Sequence, residues 1–351
     1  MSAILGFLRH KMVICLCLLL IIKQNKGVIN MNNLKKIGLS ALAGSLATFS
    51  VNAADFSVTG SASITYDDTN RGKGVNGNAF SMGNSLGFNA SGETDGGLGV
   101  AVYYEIDQDD MDDYDMTISG DFGSIKFHGS GGSTAFGAVD DVTPNAYEEA
   151  WDIIDTDGAL TSGSPTVIGG GSGANMFVYT SPDFGGATVT ASMVPSGNAA
   201  GSGTQTEFAV AISPEAVEGL TVGAAMSNQE VATKDVDKST MYVKYAFGGF
   251  TAGVQIADLD HETASSSQES TAFGITYAVN DDFSIGYSEH ELTFDTGAGA
   301  SANKDQTSTG ISASYTMGGM TLAGAMNEVD NMDGAPTNDF EGYEFNLKFA
   351  F

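Results

Sequence analysis

The last nine residues, Tyr343-Glu344-Phe345-Asn346-Leu347-Lys348-Phe349-Ala350-Phe351, carry an apolar or aromatic side chain at every second position. Period-two alternation describes a β-strand with two unlike faces. As the last strand of an open sheet, it would leave unpaired backbone groups beside a row of aromatic rings, an aggregation hazard. Pairing the last strand with the first closes a barrel and removes that edge. The apolar face then meets lipid, and Glu344, Asn346 and Lys348 face a lumen.

Composition agrees with a barrel. No stretch reaches the ~18–20 consecutive apolar residues that a membrane helix needs, and hydrophobic content is an ordinary 42%. A membrane barrel escapes that test because its apolar residues are spread over alternating strands. The formal net charge is −29. Such a chain repels polyphosphate, which argues against nucleic acid as a partner, and the acidic balance fits solubility, cation attraction, or both.

The first 53 residues differ from the rest. They hold six of the 14 basic residues, no acidic residue, and both cysteines, Cys15 and Cys17. From Met31 the pattern is that of a secretory signal peptide, 31–53. Lys35-Lys36 is the charged region, Ile37 to Phe49 the apolar region, and Val51-Asn52-Ala53 the small-residue cleavage site. The mature chain is expected to start at Ala54. The apolar run Met12 to Ile22 is too short to span a bilayer and no cleavage signal follows it, so 1–30 reads as an upstream extension from a mis-called start codon, the alternative being an unusually long leader. Without the leader, 8 basic residues stand against 43 acidic ones, a net charge of −35, and Arg71 is the single remaining arginine. A cysteine-free exported chain is expected to draw its stability from a closed hydrogen-bonded sheet rather than from disulfides.

Residues 54–351 read as one all-β domain of sixteen alternating segments. In the clearest of them, Leu98, Val100, Val102, Tyr104 and Ile106 share one face, and Glu105 and Asp107 the other. Seven connections are short and Gly/Asp-rich, as tight hairpins require. Eight are longer and polar, among them an acidic loop, Gln108 to Asp113. Sixteen antiparallel strands, with short turns at one rim and long loops at the other, describe a transmembrane barrel with both termini on one rim. A soluble β-array such as a propeller would need a repeat of fixed period, and none is present. The charges fall on the parity opposite the apolar one. Glu105, Lys126, His128, Glu207, Lys244, Glu344 and Lys348 are thereby predicted to line the lumen wall. A lysine or arginine on the lipid face near the midplane costs roughly 2–4 kcal/mol, which gives this consistency a physical reason. Tyr66, Tyr104, Phe283, Tyr287, Phe345 and Phe349 are expected in interfacial girdles.

From Gly129 to Gly173 the alternation stops. A connection this long predicts a functional loop. Asn145–Ile154, after Pro144, is expected to form a short helix with Tyr147 and Trp151 on one side. Both rings are read as packing that pins the loop to the wall.

The chain resembles the Gram-negative general porins, trimeric sixteen-stranded outer-membrane channels. The residues that carry the resemblance are the leader, the turn Gly120-Asp121-Phe122-Gly123, the long third loop, the turn Ser181-Pro182-Asp183-Phe184-Gly185-Gly186, and the terminal Phe351. The resemblance implies that Tyr343, Phe345, Leu347, Phe349 and Phe351 form the signal read by the outer-membrane barrel assembly machinery. It implies a homotrimer in the outer membrane, with outer-membrane lipid around it and Gln108–Asp113 as a latch between subunits. It also implies that the third loop folds into the barrel and narrows it, so that Asp140, Asp141, Glu148, Glu149, Asp152, Asp155 and Asp157 form the constriction. The family's arginine cluster opposite that loop is missing. Lys126, Lys244 and Lys348, with His128, are the candidate wall cations.

The function these residues imply is passive diffusion of ions and small hydrophilic solutes through a water-filled, cation-preferring pore. The alternatives are a substrate-specific outer-membrane channel and a structural or adhesive barrel. An enzyme is not expected: His128, His261 and His290 stand beside no nucleophile motif. No cofactor is required. Calcium is a secondary expectation, at Asp152, Asp155 and Asp157 or at Asp109, Asp110, Asp112 and Asp113, because close carboxylates suit a hard cation.

Overall fold

Closure of the sheet follows from the pairing of its first and last strands. In the computed structural model, β1 (Asp55–Thr69) runs antiparallel to β16 (Phe340–Ala350), with Tyr66 opposite Phe345 and Ile64 opposite Leu347. Phe351 continues the ladder. Its N–H donates to the Gly60 carbonyl at 2.9 Å and its own carbonyl accepts from Gly60 at 2.8 Å. The structure describes residues 55–69, 79–108, 110–151, 168, 174–195, 202–231, 235–261, 267–295, 304–336 and 338–351. The predicted extension and leader, 1–53, lie outside the described residues.

Between these two strands the chain runs β2 (Phe80–Glu93), β3 (Gly99–Asp107), β4 (Asp110–Gly120), β5 (Gly123–Ser130), β6 (Met176–Thr180), β7 (Ala187–Val194) and β8 (Ser202–Ile212). It continues as β9 (Leu220–Val231), β10 (Val236–Phe247), β11 (Phe250–His261), β12 (Ser267–Ala278), β13 (Phe283–Asp295), β14 (Gln306–Met317) and β15 (Met320–Asp330). Each strand pairs with its neighbours in sequence, and the sheet is a closed barrel. Among the described residues no helix is long and apolar enough to cross a membrane.

The parity argument sorts the side chains. In β8, Phe208 is 52% exposed and Glu207 not at all. In β10, Met241, Val243 and Tyr245 are exposed, while Thr240 and Tyr242 on the alternate parity are buried. In β16, Phe345, Leu347 and Phe349 are exposed and Glu344 is buried. A row of exposed aromatic and aliphatic side chains around a closed sheet is the lipid-facing surface of a membrane barrel, and the polar parity faces the interior. Glu105, Lys126, His128, Glu207, Lys244, Glu344 and Lys348 all belong to the polar parity.

Turn chemistry explains the hairpins. Gly248-Gly249 joins β10 to β11 and Gly318-Gly319 joins β14 to β15, with φ of 60° at Gly248 and 62° at Gly318. Two-residue hairpins need this left-handed conformation, which glycine adopts at no steric cost. The two turns that carry the resemblance touch each other, since a Cβ on Gly123 would fall 2.9 Å from the Ser181 carbonyl carbon and 3.0 Å from the Pro182 nitrogen, and the Tyr179 hydroxyl of β6 donates to the Phe122 carbonyl at 2.8 Å. Asp183 holds the second turn by accepting from the N–H groups of Gly185 and Gly186 at 3.1 and 3.0 Å.

Two expectations fail. The stretch Gln108 to Asp113 is not a loop, because Asp110–Asp113 begin β4 and pair back toward β3, Met111 with Ile106. Acidic side chains read as loop in a soluble sheet, but at the rim of a barrel both faces of a strand are wet. A register shift near Tyr104 lets the run join the ladder. The helix expected after Pro144 is also missing from the described residues 145–151, which form bends and, at 150 and 151, a turn. Their backbone groups bond to the wall instead. A 3-10 turn at Met332–Gly334, preceded by Asn331 in the left-handed region, is not signalled by the alternation.

Candidate functional site: the third loop and the inner wall

The segment that leaves β5 turns at Gly131 and Gly132, with φ of 60° and 95°. Both positions need glycine for a second reason. A Cβ on Gly131 would fall 1.4 Å from an Asp113 carboxylate oxygen, and one on Gly132 would fall 2.2 Å from His128 Nδ1. The chain thus passes directly over the polar parity of β4 and β5.

From there it lies against the polar parity of successive strands. Phe136 is fully buried with Ala135, Val139, Ala209, Ala225 and Tyr242. Beside this apolar plug, Glu207 receives the Phe136 N–H at 2.8 Å, Ser192 Oγ at 3.2 Å and Ser227 Oγ at 2.9 Å. A buried carboxylate is tolerated when its lone pairs are filled in this way. Gln255 of β11 works in both directions. Its Nε2 donates to the carbonyls of Val139 at 2.9 Å and Asp140 at 2.7 Å, and its Oε1 accepts from the Val142 N–H at 3.2 Å.

Further along, the Ala146 N–H donates to Ser312 Oγ at 3.1 Å, and Asn327 Nδ2 donates to the Glu149 carbonyl at 2.6 Å. Tyr147 donates to the carboxylate of Glu344. Burial, and then this bond, hold the Tyr147 hydroxyl protonated well above the usual phenol range. The Trp151 ring lies 4.8 Å from the ring of His290, and His290 Nε2 shares a hydrogen with Ser270 Oγ at 3.2 Å. Both rings therefore sit against the wall, and Tyr147 adds a charge-assisted bond. Just before Tyr147, Pro144 and Ala146 lie directly over Gly253, Gly274 and Gly286.

The polar parity of β1 to β5 has a different character. Ser57, Thr59, Ser61, Ser63 and Thr65 form a hydroxyl row on β1. Glu105 and Asp107 follow on β3, and Asp113 and Asp115 on β4. Tyr103 donates to Glu105 at 3.0 Å, and Lys126 Nζ lies 3.3 Å from Asp115 Oδ2. His128 Nδ1 is 4.0 Å from the same Asp115 oxygen, an ion pair only when the imidazole is protonated.

Of the predicted loop carboxylates, Asp140, Asp141, Glu148 and Glu149 are on the docked segment. Asp152, Asp155 and Asp157 lie outside the described residues, as does Asp109. Among the described residues no group of three or more His, Cys, Asp or Glu is arranged to hold a metal ion, Asp110, Asp112 and Asp113 included. Sequence reasoning missed Lys238 on the polar parity of β10. The period-two series Lys238, Thr240, Tyr242, Lys244 contains the signal, but only if the strand is extended past Met241.

A closed antiparallel barrel with a lipid-facing apolar parity, a polar interior and a long loop docked on that polar parity defines a transmembrane channel protein. A sequence profile described as Gram-negative porin matches residues 38–334. The chain belongs to that family and is an outer-membrane porin. Among solved structures, an anion-selective porin from Comamonas acidovorans aligns with a TM-score of 0.63 at 15% identity, over 85% of this chain and all of that one. The trimer form of OmpT from Vibrio cholerae aligns with a TM-score of 0.64 at 13% identity, over 85% of this chain and 99% of that one. At such identities the likeness concerns the fold. A search of curated proteins gave no match.

Proposed function

We propose that the channel is a water-filled, cation-preferring pore for passive diffusion of ions and small hydrophilic solutes, and that the segment 131–151 narrows it. The observation that carries this reading is the distribution of carboxylates. The segment contributes Asp140, Asp141, Glu148 and Glu149, and the polar parity of β3 and β4 contributes Glu105, Asp107, Asp113 and Asp115. Among the described residues the cations on the polar parity are few, and Lys126 is paired with Asp115. Like charges on a low-dielectric wall raise the local concentration of counter-ions. Anion selectivity is a property of the Comamonas neighbour and is not carried over at 15% identity.

A planar bilayer with a salt gradient tests the proposal. A reversal potential of the sign that marks cation permeation is expected, and anion preference sinks it. The same reading includes homotrimeric assembly, supported by the trimer form of a structural neighbour. It includes cleavage of the leader before Ala54 and recognition of Tyr343–Phe351 by the barrel assembly machinery. Native mass and N-terminal sequence of the mature protein test the first two. Removal of Phe351 tests the third, with loss of outer-membrane assembly expected.

A further inference from the structure

Four glycines lie on the polar parity of four adjoining strands: Gly253 in β11, Gly274 in β12, Gly286 in β13 and Gly310 in β14. Gly253 and Gly274 are direct cross-strand partners. Gly286 and Gly310 stand one pleat away, at Thr276 and Ser288 in the neighbouring registers. None of the four has a positive φ, so the backbone does not demand glycine. In mid-strand, glycine weakens a sheet and often marks the close approach of another backbone. Here the approaching chain is the third loop.

A Cβ on Gly274 would lie 2.3 Å from the Pro144 carbonyl oxygen, and one on Gly286 would lie 2.8 Å from the Ala146 nitrogen. On Gly310 it would meet the wall side-chain atom Asn327 Oδ1 at 2.5 Å and the loop atom Ala150 Cα at 3.0 Å, and on Gly253 the Pro144 Cδ at 2.8 Å. Of the four loop atoms, Pro144 O, Ala146 N and Ala150 Cα are backbone, which cannot rotate aside as a side chain can. A methyl in the wall therefore displaces the loop as a body, away from the sheet.

We infer that these glycines form a furrow in the wall that sets the depth of the loop, and so the width of the pore and the size limit for its solutes. The inference rests on the reading of 131–151 as the constriction. The furrow makes the wall residue, not only the loop residue, a determinant of solute size. The distances rank the effects: Gly274 is tighter than Gly286, and at Gly253 the obstacle is a side-chain atom that can be removed.

The test compares single-channel conductance and exclusion of poly(ethylene glycol) probes for G274A, G286A, G253A and the control G92A, where a Cβ meets nothing within 4 Å. Thermal unfolding followed by circular dichroism checks that each barrel is folded. Lower conductance and a smaller probe cut-off are expected for G274A, smaller losses for G286A, and no change for G92A. P144A, which lacks Cγ and Cδ, should restore conductance in the G253A background. This rescue reads the furrow even if G274A fails to fold. Unchanged or raised conductance in folded G274A or G253A overturns the inference, as does failure of the rescue. E148C modified with thiol reagents of increasing size reports separately on the constriction. Block there with no effect of G253A defeats the furrow alone, whereas no block defeats the underlying reading and the furrow with it.

Discussion

Tyr147 in the third loop donates its phenolic hydrogen to the carboxylate of Glu344, 197 residues later in the strand that closes the barrel. One bond therefore joins the loop to the closure of the sheet. Glu344 is buried, so losing the donor would leave a carboxylate with less compensation than it has now. The bond works in the other direction too, since it keeps the phenol neutral.

Tyr147→Phe removes only the hydroxyl. Leaving a buried acceptor short of a donor costs about 1–3 kcal/mol, and thermal unfolding is expected to show a loss of that order. The ring stays to fill space, so the barrel should still assemble, while open-channel current noise should rise as the loop loosens. The pH dependence has a fixed sign. The folded pKa of Tyr147 lies above the usual phenol value. Its contribution is complete below about pH 10 and is lost as pH rises through the folded value. Tyr147→Phe should abolish that alkaline component of instability, seen as a flatter stability profile on the alkaline side.

Glu207→Ala should be the more damaging change near β8. It strips the acceptor from the Phe136 N–H, Ser192 and Ser227 together, inside a fully buried site. A loss of about 1–3 kcal/mol for one unsatisfied buried group is ordinary, so denaturant unfolding is expected to report at least that. Limited proteolysis between Gly131 and Val142 should quicken, because the loop is held there through the Phe136 backbone.

The wall opposite in character, β3 and β4, controls charge rather than stability. Glu105→Gln with Asp113→Asn keeps shape and removes two negative charges from the polar parity. The reversal potential in a salt gradient should move toward zero while the melting temperature changes little. The difference between parent and variant should shrink at high salt, where the screening length falls to ~3 Å at 1 M.

The barrel was legible because period-two alternation survives wherever one face is apolar. Phe345, Leu347 and Phe349 predict their own exposure, and the pairing with β1 follows from Ile64 and Tyr66. The docking of the loop was not legible. Its contacts join Ala146 to Ser312 and Asn327 to Glu149, pairs more than 160 residues apart with no shared periodicity. The helix expected after Pro144 failed because the wall claims the backbone groups a helix would use. The furrow was hidden for the opposite reason: a strand glycine such as Gly274 reads as weakness until the approaching Pro144 carbonyl is known. Lys238 was missed where strand and loop compositions overlap.

Val243 and Lys244 are sequence neighbours on opposite faces of β10, and they allow the sharpest test of parity. Val243 is 49% exposed on the apolar parity, next to Met241 and Tyr245. Lys244 is half-buried on the polar parity. Val243→Lys places a charge against lipid, which costs roughly 2–4 kcal/mol at the midplane. Reversible unfolding in lipid vesicles should show a loss within that range. Lys244→Val places a valine in the lumen, where no lipid is met. It should leave stability nearly unchanged and instead strengthen cation preference, since one of the few wall cations is gone. Equal destabilisation by both changes would mean that the two faces of β10 are not distinct solvents. Opposite outcomes from adjacent residues require that one face is in lipid and the other in water.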